Sequence, residues 1–70
     1  MSKVEIFLEN QQKYSEATIN GDEKLAETYA IKNRGVFNSF AKSDWEELIA
    51  QSHGRAKYEY TRMMKEKFPD

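Results

Sequence analysis

Three helix-start signals recur along the chain and constrain its fold more than any other feature. Ser2 is followed three residues later by Glu5, Asn20 by Glu23, and Ser43 by Glu46. In each pair the short side chain accepts from backbone N–H groups that the first turn of a helix leaves unsatisfied. The glutamate reaches back to the N–H of the cap residue itself. Met1 precedes the first cap, and Ile6 stands where a hydrophobic staple would meet it. Starts 18 and 23 residues apart leave room for three helices joined by short turns.

The breakers agree with that division. Gly21 lies between Asn20 and Asp22, and Lys42-Ser43-Asp44 is polar and rich in capping residues. The single proline is Pro69, which disfavours helix in the residue before it. At 100° per residue a first helix over about 3–19 gathers Val4, Phe7, Leu8, Tyr14 and Ile19 in one arc, diluted by Gln11, Ser15 and Thr18. A second, over about 22–41, gathers Leu25, Ala26, Tyr29, Ala30, Val36, Phe37, Phe40 and Ala41 within about 160°. A third, over about 44–68, carries Trp45, Leu48, Ile49, Ala56, Tyr60, Met63 and Met64 on one side.

Charge polarity favours pairing the second helix with the third. The second begins with Asp22, Glu23 and Glu27 and ends with Lys32, Arg34 and Lys42; the third begins with Asp44, Glu46 and Glu47 and ends with Arg62, Lys65 and Lys67. Each complements its own dipole, by about 0.3–1 kcal/mol per well-placed charge. A fold at Ser43 also sets the basic end of one beside the acidic start of the other. The expected architecture is therefore all-α: one three-helix domain over residues 1–70, built on a long antiparallel hairpin of the second and third helices, with the first packed across it.

Seventy residues support one thin core. Four tyrosines, four phenylalanines and one tryptophan thicken it, because aromatic rings bury much area for their backbone cost. A net charge of −1 gives no global attraction to nucleic acid or to an anionic membrane surface. The absence of cysteine excludes disulfides and thiolate zinc sites and suits a reducing compartment. Glu5 and Glu9 interrupt any apolar leader, and no apolar run approaches the roughly 20 residues that span a bilayer. A cytoplasmic protein is expected.

Two polar residues fall inside the apolar arcs. Asn33 lies ten residues before Ser43 and His53 ten after it, so the expected hairpin sets them level. An amide and an imidazole at that height satisfy one another as a buried polar pair that fixes register. A lone histidine without a second histidine, a cysteine or a suitably spaced carboxylate is poor ground for metal, and no metal or cofactor is expected.

The third helix has a second face, formed by Gln51, Arg55, Tyr58, Arg62 and Lys65 over about 80°. Arginine with an interleaved tyrosine anchors protein interfaces. It also pairs with phosphate and stacks on bases, although the acids at the front of that helix repel a polyanion. The plainer alternative is a solvated face. Ile6 and Ile31 point away from their own stripes and suit an apolar contact patch. No base or nucleophile is paired with an orienting group, so the expected function is non-enzymatic: a helical interaction module that binds a partner protein or a second copy of itself and regulates by occupancy. Nucleic-acid binding through the Arg/Tyr face is the alternative.

Overall fold

The computed structural model describes residues 1–69, and every regular element among them is helical. α1 spans Lys3–Ile19, α2 Glu23–Asn38, α3 Lys42–Gln51 and α4 Gly54–Lys67. α1 packs against α2 and α3 against α4, and the chain divides into two compact units that meet at Ser39 and Phe40. No helix among the described residues is long and apolar enough to cross a membrane.

The expected three helices are thus four. The stretch from 44 to 68 does not run as one helix: Ser52 is extended, with φ −97° and ψ 160°, and Gly54 takes φ +60°. The left-handed region is open to glycine without the Cβ penalty other residues suffer. The Ser52 hydroxyl donates to the Leu48 carbonyl at 2.7 Å, and its N–H to that of Ile49 at 3.1 Å, so the end of α3 has partners for carbonyls that a continuing helix would have bonded. With the long third helix goes the expected hairpin built on it.

The first unit, Met1–Ser39, is assembled by strong local signals. The Ser2 hydroxyl accepts from the Glu5 N–H at 3.1 Å and the Glu5 carboxylate accepts from the Ser2 N–H at 3.2 Å, the reciprocal box expected from sequence. Met1 stays exposed, so the staple does not close. The end of α1 is a Schellman motif: Asp22 N–H donates to the Ala17 carbonyl at 2.9 Å and Gly21 N–H to that of Thr18 at 3.1 Å, with Gly21 at φ +74°. Asn20 is therefore the C-cap of α1 rather than the N-cap of α2. Asp22 takes the second role, accepting from the Leu25 N–H at 3.1 Å. One aspartate closes one helix and opens the next, which makes the connection tight.

The far end of the hairpin is tied as well. Lys3 Nζ donates to the Ser39 carbonyl at 2.7 Å, a cation at the negative pole of α2. Val4, Phe7, Ala17 and Ala26 are buried. The Phe7 and Phe37 rings stack at 4.5 Å and 8°, which places the start of α1 against the end of α2.

The second unit starts at Phe40. Its first helix opens at Ala41, which has no side chain able to cap; the Asp44 carboxylate accepts instead from the Ala41 N–H at 2.8 Å. Ser43, the expected cap, lies inside α3. Phe40, Trp45 and Leu48 are buried. Trp45 meets Phe40 edge to face at 5.3 Å, and the Lys67 ammonium of α4 lies 5.9 Å from the Trp45 ring. α4 has no fully buried residue; its Tyr60 and Met64, and Phe68 at its C-cap, are half-buried.

Candidate functional site

The antiparallel packing of α1 on α2 leaves a groove along one side of the first unit. α1 supplies Phe7, Gln11 and Tyr14, and α2 supplies Tyr29, Ala30, Asn33, Arg34 and Phe37, around a volume of about 330 Å³. A second depression of about 440 Å³ continues it, lined by Tyr14, Thr18, Gly21, Glu23, Ala26, Glu27 and Ala30. Tyr14 and Ala30 line both, so the two form one trough. The helical repeat explains the membership. Phe7, Gln11, Tyr14 and Thr18 follow at steps of four, three and four, as do Ala26, Ala30, Asn33 and Phe37, which stacks each set on one face.

The trough has an apolar middle and charged ends. The Phe7–Phe37 stack lies at one end with Arg34, and Glu23 and Glu27 lie at the other. Tyr14 stands 42% exposed where the two halves join. Asn33 is half-buried; its Nδ2 donates to the Phe7 carbonyl at 3.1 Å, while its Oδ1 is buried and has no hydrogen-bond partner among the described residues. The amide thus ties α2 to α1.

The Asn33 amide, expected from sequence to pair with His53, donates within the first unit to the Phe7 carbonyl. His53 is exposed and occupies the N-cap position of α4 without a side-chain capping bond. It lies in the break of the chain instead of on a helical face, because the ten-residue symmetry about Ser43 assumed an unbroken helix.

The Arg/Tyr face is divided by the same break. Gln51 is the last residue of α3, whereas Arg55, Tyr58, Arg62 and Lys65 remain on α4 at spacings of three, four and three, and so on one side of it. Tyr58 is 65% exposed, and a shallow depression of about 250 Å³ runs along Tyr58, Thr61, Arg62 and Lys65. Arg62 reaches Glu59 at 3.8 Å, both exposed, a pair of little energetic consequence. Ile31 is 60% exposed and Ile6 36%; neither lines the trough.

One cap displaces a titration. The Ser2 N–H, followed by the Ser2 hydroxyl, holds the Glu5 carboxyl below the usual carboxylate range. Among the described residues, no group of three histidine, aspartate and glutamate side chains is placed to hold a metal ion.

The sequence carries a signal of the trough. Gln11 and Thr18 dilute the apolar stripe of α1, yet their spacing with Phe7 and Tyr14 marks the groove face. No protein-family model, curated protein or solved structure matches the chain.

Proposed function

We propose that the chain is a small non-enzymatic interaction module that binds a protein partner and regulates it by occupancy. The observation that carries this reading is the open trough of the first unit, with aromatic walls and a 42% exposed Tyr14 at its centre. Water-exposed apolar surface of this kind gains free energy when a partner covers it, and helix-on-groove packing is a recurrent way to do so. Exposed Ile31 and Ile6 extend the apolar surface of the same unit.

Affinity capture from the native host tests this reading. The wild-type chain retains a protein partner with weak salt dependence, and Tyr14→Asp releases it while circular dichroism stays unchanged. Retention unaffected by Tyr14→Asp and by Ile31→Asp removes the first unit from the function.

A second reading rests on α4, where Arg55, Arg62 and Lys65 share a face with exposed Tyr58. It is nucleic-acid binding by phosphate pairing and base stacking. Its mark is an affinity that falls steeply with salt through counterion release and is lost in Arg55→Ala and Arg62→Ala.

A further inference from the structure

We propose that the trough face of the first unit is covered by the same face of a second copy, two α1–α2 hairpins packing face to face about a two-fold axis perpendicular to their helices. The inference rests on the interaction-module reading and names the partner.

The arrangement of the trough is its own complement. Phe7 stacks on Phe37 at one end, so in the antiparallel hairpin Tyr14, seven residues further along α1, lies level with Ala30, seven residues back along α2. Both line the two halves of the trough and mark its middle. Arg34 lies four residues beyond Ala30 and Glu27 three before it, about 6 Å and about 4.5 Å away along the helix at about 1.5 Å per residue. Reversing the hairpin on itself about the middle therefore sets Arg34 opposite Glu27 of the partner subunit, twice in each dimer. A partner of unrelated sequence would have to carry the reverse charge order; a second copy carries it by symmetry.

A further observation agrees with that occupant. Glu23, Glu27 and Arg34 take part in no ion pair within the chain among the described residues, so the charges at both ends are available. The interface closes on itself and leaves no open end for filaments.

Sedimentation of the full chain from about 1 μM to hundreds of micromolar, with charge-swapped variants, tests the proposal. The wild type forms a dimer in that range. Arg34→Glu and Glu27→Arg, each at an exposed position, each weaken self-association about tenfold or more, since each creates two like-charge contacts per dimer. Mixed together, these two variants form a heterodimer, because both cross-pairs are then opposite in charge. The double variant regains self-association.

A wild type that stays monomeric throughout, or a dimer indifferent to all the swaps, overturns the proposal. Circular dichroism of each variant separates lost association from lost folding. If the monomeric wild type still retains a host protein that Tyr14→Asp releases, the second copy is excluded and the module reading stands. If there is neither self-association nor trough-dependent retention, both fall.

Discussion

The two units fold by different means. The first has helices of 17 and 16 residues, a reciprocal capping box, a Schellman turn and an aspartate cap. Its fully buried core is small side chains and one ring: Val4, Ala17, Ala26 and Phe7. The second has helices of 10 and 14 residues, neither of which begins with a side-chain cap that accepts from its first turn. Its core is instead Phe40, Trp45 and Leu48. Helix nucleation is costly and short helices are marginal alone. A unit with strong caps can spend its apolar residues on the surface, where Tyr14, Leu25 and Ile31 lie exposed. A unit with weak caps must bury its largest residues. Local order in one and tertiary packing in the other reach the same kind of helical pair, and the first is left with a groove between its helices.

The largest effect that can break this contrast is at Trp45. Trp45→Ala removes the ring that Phe40 and Lys67 meet and should cost about 3–5 kcal/mol, read by urea unfolding followed by circular dichroism. Hydrogen exchange should show protection lost in α3 and α4 first. A loss below about 1 kcal/mol would mean that the second unit does not depend on its core.

Gly54 comes next. A Cβ built there meets nothing within 4 Å, so the cost of Gly54→Ala is conformational alone, about 1–2 kcal/mol for a left-handed alanine. Gly54→Asn should recover part of it, because asparagine tolerates that region. Equal melting temperatures for the glycine and alanine proteins would show that the break needs no positive φ.

At the first unit, Asp22→Ala should cost about 1 kcal/mol as a lost cap. Asn20→Ala and Ser43→Ala should stay within about 0.5 kcal/mol, since neither side chain caps a helix start. Thermal unfolding of the three side by side sharpens the distinction between the caps that form and those the sequence suggested.

The smallest effect is at Glu5. Its carboxyl is held below its usual range chiefly by the Ser2 N–H, so the folded value lies below the unfolded one. The stability this adds is present above the unfolded value and is lost as pH falls through the folded one. Melts from neutral to about pH 3 should show a small acid loss in the wild type that is absent in Glu5→Gln.

The sequence carries the all-helical class, the extent of α1 and its cap at Ser2. Those features depend on neighbours three to five residues apart, and the capping box and the helical repeat encode them directly. The second cap was misplaced by two residues because Asn20-Gly21-Asp22 contains both an ending and a beginning. Only the Schellman bonds to Ala17 and Thr18 decide which residue does which.

The break at Ser52-His53-Gly54 lay further out of reach. The apolar spacing of Trp45, Leu48, Tyr60 and Met64 fits one continuous helix, and an isolated glycine costs a helix only about 0.5–1 kcal/mol. Local energies of that size cannot choose between a helix running through and a helix that ends. The choice belongs to packing: the burial of Trp45 and Leu48, the ammonium of Lys67 near the Trp45 ring, and the return of α4 onto α3. The trough is of the same kind. Each of its walls is an ordinary helical stripe written in sequence, but a groove exists only where two stripes are set side by side. The bond from Asn33 to Phe7 and the Phe7–Phe37 stack join residues 26 and 30 positions apart. No periodicity along the chain carries that information, because it is the tertiary fold that makes those residues neighbours.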